Sequence, residues 1–129
     1  MIAVDTSALM AILLDEPDAE GCMAAIEATD KLLISAGTMA EALIVAGRRN
    51  LAEDMTELIG GLGFEIVPVT MASAHRIAAA YGRWGKGLHP AALNFGDCFA
   101  YDLAKERNCR LLFVGNDFSQ TDVGPAPTA

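Results

Sequence analysis

The sequence predicts an α/β domain built on a parallel sheet with helices packed on its faces. Three observations carry this. Short apolar runs recur at Ile2-Ala-Val4, Leu32-Leu-Ile34 and Leu111-Leu-Phe-Val114, and runs without polar alternation suit strands buried on both faces. Between them, apolar residues return at helical spacing. Polar and acidic residues follow the first and last runs, the position at which open α/β sheets bind ligands, beyond the carboxyl ends of their strands.

Taken in order, Ile2 to Val4 is the first strand, and Asp5-Thr6-Ser7 follows it at once. Thr6 or Ser7 is expected to cap a helix over Ala8 to Leu14, and Asp5 reads either as a cap itself or as a functional carboxylate. Asp15-Glu-Pro-Asp18 is a turn into the next helix, with Pro17 in its first turn and Cys22, Ala25 and Ile26 recurring along Ala19 to Ala28. Leu32 to Ile34 is the second strand, and Ser35 to Gly47 a helix that sets Glu41 among apolar neighbours. A further helix, Leu51 to Ile59, is expected to stop at Gly60-Gly61 and Gly63. Phe64 to Val69 supplies the third strand, and Pro68 puts its end at a sheet edge or exit.

Thr70 to Trp84 reads as helix, with Ala74, Ile77, Ala78 and Tyr81 as its inner stripe and Arg76 and Arg83 sharing a face. Glycines and Pro90 make Gly82 to Pro90 a loop carrying Arg83, Lys86 and His89. The next helix begins near Asn94 to Gly96 and runs to about Arg107, which places Asp97 in its first turn. Leu111 to Val114 is the fourth strand, with Gly115-Asn116-Asp117 behind it. The stretch from Gly124 to Ala129, with two prolines, is expected to be a mobile tail.

A chain of 129 residues is about the length of one domain. Its apolar fraction of 53%, with a further 12 glycines, exceeds the roughly 45–50% that counts both in an average soluble domain. Some of that surface is expected to meet a partner. No apolar run approaches the roughly 20 residues needed to cross a bilayer, and no basic segment with an apolar stretch behind it opens the chain, so a soluble, cytoplasmic protein is expected. Cys22, Cys98 and Cys109 are odd in number and lack CxxC spacing, so they read as free thiols. A net charge of −8 argues against simple electrostatic attraction to nucleic acid. Acidic proteins still process nucleic acids where carboxylates hold a divalent metal that reverses the local field.

Four acids stand out on that ground. Asp5 and Asp117 follow buried strands, Asp97 lies in a first helical turn between Phe95 and Phe99, and Glu41 sits on a helix short of charge. Right-handed crossovers would bring both post-strand acids to one edge of the sheet. Two carboxylates about 5 Å apart repel by roughly 3 kcal/mol at an effective dielectric near 20, an objection that a divalent cation removes. Oxygen-only ligation favours Mg²⁺ or Mn²⁺ over zinc. The plainer alternative makes Asp97 and Asp117 caps and turns Glu41 to solvent.

Val4-Asp5-Thr6-Ser7-Ala8-Leu9, Ser35-Ala-Gly-Thr-Met-Ala-Glu41-Ala42, Gly87-Leu-His-Pro-Ala-Ala-Leu-Asn-Phe-Gly-Asp97-Cys-Phe-Ala-Tyr101 and Leu111-Leu-Phe-Val-Gly-Asn-Asp117-Phe118 occur in this order. Together with Thr121-Asp122 they resemble the PIN-domain ribonucleases, and specifically the VapC toxins of type II toxin–antitoxin pairs, over nearly the whole chain. The resemblance implies a three-layer α/β/α sandwich around a central parallel sheet. It also implies an acidic pocket of Asp5, Glu41, Asp97 and Asp117 that binds Mg²⁺ or Mn²⁺ and hydrolyses RNA. Thr6, Ser7 and Asn116 assist around such pockets, Asn116 standing where many relatives carry a second Asp. A homodimer and a VapB-like antitoxin are implied as partners, the antitoxin lying along an apolar groove.

Arg83 and Lys86 are the candidates to hold flanking RNA phosphates, with Arg48 and Arg49 behind them. His89 reads as a structural residue or as an acid to the leaving group. Three competing classes remain at this level. These are a non-catalytic metal- or RNA-binding module on the same fold, a phosphoryl-transfer or receiver-type domain, and a cysteine hydrolase built on Cys98.

Overall fold

The computed structural model describes residues 1–128. Four parallel strands, β1 (Ile2–Val4), β2 (Leu32–Ser35), β3 (Glu65–Val67) and β4 (Arg110–Leu112), form a sheet in the order β3-β2-β1-β4. Six helices connect and cover them: α1 (Thr6–Leu13), α2 (Ala19–Ala28), α3 (Ala36–Gly47), α4 (Ala52–Leu62), α5 (Met71–Trp84) and α6 (Phe95–Glu106). Side chains alternate across a strand, and here both sets are buried. Ile2, Val4, Leu32, Ile34 and Leu112 face a core with α1 to α4, whereas Ala3, Leu33 and Leu111 face a second core with α5 and α6. The expected three-layer α/β/α sandwich follows directly from those uninterrupted apolar runs.

The register puts Ala3 between Leu33 and Leu111, so β1 is central and its exit opens at the middle of the sheet's carboxyl edge. The ladder continues one step further, with Asp5 N donating to Leu112 O at 2.9 Å. β3 lies at one edge with Glu65 and Ile66 exposed, as Pro68 foretells.

Several expectations are corrected. Asp5, not Thr6 or Ser7, caps α1. Pro17 precedes the cap of α2, Asp18, rather than entering its first turn. α4 runs through Gly60-Gly61 to Leu62 and ends at Gly63, whose φ of +76° suits the glycine there. Buried Ile59 and the packed side chains of Leu58 and Leu62 hold those last turns on the core, outweighing the low helix propensity of the two glycines. α5 turns Ser73, Ile77, Ala80 and Trp84 inward and leaves Ala74, Ala78 and Tyr81 exposed. Because α5 extends to Trp84, Gly82 and Arg83 are helical, and the loop begins at Gly85. The last strand ends at Leu112, so four residues, not two, separate it from Asp117.

The tail is docked in its described part. Leu111 N donates to Gly124 O and Ala126 N to Leu111 O, both at 2.9 Å, and Ala126 is buried. Pro125 lacks an N–H, but the bonding falls on its neighbours. Ala129, the end of the stretch expected to be mobile, lies outside the described residues.

Candidate active site at the carboxyl edge of the sheet

Asp5 caps α1, and its carboxylate is buried. Its Oδ2 accepts from Ser7 N at 3.0 Å and from Ser7 Oγ at 2.7 Å. Ser7 Oγ in turn accepts from Val114 N at 3.0 Å, tying the exit of β4 to Asp5. Oδ1 is buried without a hydrogen-bond partner. Burial, opposed by the Ser7 bonds and reinforced by the charges of Asp97 and Glu41, pushes the Asp5 carboxyl up to about 7.

Asp97 is the third residue of α6 and closes a reciprocal cap with Asn94. Asp97 N donates to Asn94 Oδ1 at 2.8 Å, and Asn94 N to Asp97 Oδ2 at 3.0 Å. The plainer expectation of a cap is therefore correct as local structure. The same side chain is buried, and desolvation, with the charges of Asp117 and Glu41 adding to it, raises its carboxyl to about 6. One group serves the helix and remains within the electrostatic field of three other acids.

Glu41 reaches in from α3. Thr6 Oγ1 donates to its Oε1 at 2.6 Å, while its Oε2 occupies the space that a Cβ on residue 96 would take. Gly96 is thus required for the carboxylate to lie where it does. Gly37 plays the same part for the ring of Phe99. Sequence reasoning assigned neither glycine a role; a glycine directly before an acid in a first helical turn is the only signal, and it is weak. Asn94 was placed at the helix start without a role, although an Asn three residues before an Asp is the spacing of a reciprocal cap.

Asp117 is exposed and opens a single 3₁₀ turn, Phe118–Gln120, reached through Gly115 at φ +102°. Asn116, also exposed, accepts from Ser119 Oγ at 2.6 Å through its carbonyl. Asp97 and Glu41 thus lie near enough to act on the Asp5 carboxyl, Asp117 near enough to act on that of Asp97, and Glu41 packs against the glycine that precedes Asp97. Among the described residues, no three or more Asp, Glu, His or Cys side chains are grouped so that they could hold a metal ion as they stand.

The donor chemistry nonetheless suits a hard cation. The acids present only oxygen, two of them bind protons more tightly than ordinary carboxylates, and Asp5 Oδ1 has no protein donor to satisfy it. Thr38 Oγ1, one turn before Glu41, is the second buried oxygen without a partner among the described residues.

The basic candidates divide. Arg83 stacks over the Trp84 ring at 4.4 Å and lies 3.6 Å from Asp122, so its guanidinium is partly engaged. Lys86 is exposed in the loop after α5. Arg48 lines the same cleft as Glu41, Phe95 and Gly96, and Arg49 is exposed. Arg76 holds the buried Asp102 with two bonds, at 2.7 and 3.3 Å, and is structural. His89 accepts from Ala91 N at 3.0 Å and sets its ring against Trp84 at 4.7 Å, which is the structural reading. All three cysteines are free, Cys109 half-buried and the other two buried. Burial lifts the Cys98 thiol to about 11, so a hydrolase built on Cys98 would lack its thiolate.

The profile of the PIN domain matches residues 2–124, and the chain belongs to that family. Within it the chain groups with the VapC-type toxins. It is 42% identical over 125 residues to a VapC ribonuclease of Mycobacterium bovis, covering 95% of each chain. It is 43% identical over 124 residues to ribonuclease VapC28 of Mycobacterium tuberculosis, covering 93% of each. Among solved structures, VapC20 of Mycobacterium tuberculosis, described as a toxin cleaving the sarcin-ricin loop, superimposes with a TM-score of 0.81 at 14% identity, over 98% of this chain and 99% of that one. VapBC2 of Rickettsia felis, solved with a DNA fragment from its promoter, gives 0.72 at 17% identity, over 97% and 96%.

Proposed function

We propose that this protein is a divalent-metal-dependent endoribonuclease that hydrolyses RNA phosphodiester bonds and acts as the toxin of a toxin–antitoxin pair. The observation that carries the metal site is Asp5 Oδ1, a buried carboxylate oxygen without a partner, at the exit of the central strand and in the field of Asp97 and Glu41. Asp5, Glu41, Asp97 and Asp117 are the acids that would hold Mg²⁺ or Mn²⁺. When bound, the ion supplies Lewis acidity toward the scissile phosphate and activates water for attack.

The remaining roles belong to the chain's own groups. Ser7 fixes the Asp5 carboxylate through Oδ2 and leaves Oδ1 for the cation. Thr6 orients Glu41, and the Asn94 cap orients Asp97. Asn116 directly precedes Asp117, and Arg83 and Lys86 are the basic residues proposed to take flanking phosphates. A cytoplasmic location is proposed together with the toxin reading. No helix among the described residues is long and apolar enough to cross a membrane.

Exposed apolar side chains support the reading that this protein has protein partners. Ile44, Val69, Tyr81 and Phe95 are exposed, and two adjoining clefts meet at Phe95 and Phe99 between α3, α5 and the start of α6. An apolar surface of this kind marks an interaction site. A second copy of the chain and a VapB-like antitoxin are the partners proposed; a solved structure of similar fold from Klebsiella pneumoniae is described as a toxin-antitoxin complex.

The test is cleavage of a synthetic RNA by the purified chain. Mg²⁺ or Mn²⁺ should support it, EDTA should stop it, and Asp97→Asn and Asp5→Asn should each abolish it while folding normally. Undiminished cleavage by either variant refutes the assignment, and a folded chain that binds metal or RNA without cutting would make it the non-catalytic module. Expression without its antitoxin should slow growth of the host.

A further inference from the structure

The segment that carries Asp117 is held together mostly by itself. Ser119 N and Oγ both donate to Asn116 O, and Thr121 N and Oγ1 both donate to Phe118 O. Directly beyond it Val123 is buried and Gly124 O accepts from Leu111 N, and within it the Phe118 ring and the Asp122 carboxylate reach the body of the protein. The Phe118 ring is buried against Phe113, with centroids 5.2 Å apart, and Asp122 Oδ1 accepts from the Tyr101 hydroxyl at 2.5 Å.

Tyr101 lies four residues after Asp97 on α6, so the two share a face one turn apart. Its hydroxyl also accepts from Trp84 Nε1 at 3.0 Å. With one proton to give and that lone pair taken, the hydroxyl directs its proton at Asp122. The other Asp122 oxygen lies 3.3 Å from Lys105 Nζ and 3.6 Å from Arg83 Nη1, which keeps the carboxylate charged and the bond strong.

We propose that the Tyr101–Asp122 hydrogen bond is a clamp that positions Asp117 beside Asp97, so that both can share the cation assigned above. The inference rests on that metal-site reading. Asp117 is exposed, its side chain makes no capping bond, and it enters through a glycine turn at φ +102°. Its charge acts on Asp97, a repulsion that works against holding the two acids together when no cation is bound. The clamp opposes that repulsion by joining the Asp97 helix to the Asp117 segment one turn below the carboxylates. Tyr101 and Asp122 act through Asp117 and are positioning residues.

The experiment is a titration of the full chain with Mn²⁺ alone, read by calorimetry, with Tyr101→Phe, Asp122→Ala and Asp122→Asn made in the wild-type and the Asp117→Asn backgrounds. Tyr101→Phe and Asp122→Ala should each weaken Mn²⁺ binding about tenfold in the wild-type background, the scale of lost outer-shell support, and by less than about twofold once Asp117 is Asn. Asp122→Asn keeps an oxygen for the Tyr101 proton and should restore most of the affinity. If Tyr101→Phe fails to fold, Asp122→Ala, on a more exposed side chain, decides the question. Equal losses in both backgrounds, no loss in either, or Asp122→Asn as weak as Asp122→Ala overturns the clamp. A folded wild-type chain that takes up no Mn²⁺ refutes the metal site itself and the clamp with it.

Discussion

Replacing Asp5 with Asn should make the metal-free protein less sensitive to alkaline pH. The Asp5 carboxyl binds its proton more tightly in the fold, at about 7, than in the unfolded chain near 3.8. The folded state therefore holds the extra proton, its stabilisation is complete below about pH 4, and it is lost as pH rises through 7. At about 1.4 kcal/mol per pH unit, the whole loss is about 4 kcal/mol. Part of it, roughly 1.7 kcal/mol, has already gone by about pH 5, which leaves about 2.6 kcal/mol between about pH 5 and about pH 8.5.

Asn does not titrate, and any cost of its unpaired amide, about 1–3 kcal/mol, is the same at both pH values. Urea unfolding in EDTA at those two pH values isolates the effect, since the amide term cancels in the difference. Wild type should lose about 2–3 kcal/mol more than Asp5→Asn across the interval, with Asp97 adding to the loss in both proteins. Parallel pH profiles would refute the reasoning, because they would mean that Asp5 is as well solvated in the fold as in the unfolded chain.

Other outcomes follow from the same geometry. Gly96→Ala should drive the Glu41 carboxylate from its place and lower RNA cleavage at least about tenfold with little change in thermal midpoint; unchanged cleavage would show that Glu41 does not need that position. Thr6→Val removes the donor to Glu41 and should raise the metal concentration for half-maximal cleavage several-fold, for about 1 kcal/mol of lost support; an unchanged metal requirement counts against the role of Thr6. Arg76→Ala leaves the buried Asp102 without its bidentate partner and should cost about 1–3 kcal/mol in urea unfolding, discounted because Arg76 is partly exposed. A smaller loss would mean that water or another cation replaces the guanidinium.

The elements that position the candidate site were the most legible. β1 and β2 announce themselves through the unbroken apolar runs Ile2–Val4 and Leu32–Ile34, and Asp5 directly after the first run and Glu41 on a helix otherwise short of charge are conspicuous. α5 was harder. Its stripes Ala74-Ile77-Ala78-Tyr81 and Ser73-Ile77-Ala80-Trp84 share Ile77, and alanine, indifferent to burial, gives little contrast between them. Trp84 decides the matter only through a tertiary bond, its Nε1 finding the Tyr101 hydroxyl from α6. The docked tail was illegible for a similar reason: Pro125 reads as a breaker, and only the register with Leu111 shows that its missing N–H is not needed. Gly96 was hidden because a glycine's use here is the room it leaves for a residue 55 positions earlier in the sequence.

The uncovered margin of the sheet bears on how another molecule can approach. Only three residues long, β3 keeps the Glu65 carboxylate fastened between Lys31 at 3.0 Å and Arg107 at 3.2 Å, and Pro68 follows immediately. A short, ion-paired border ending in proline is a poor template for a visiting strand, while the opposite border is already occupied by residues 124–126. Recognition by backbone-to-backbone extension is thereby discouraged on both flanks, and a binding partner must read helix side chains instead.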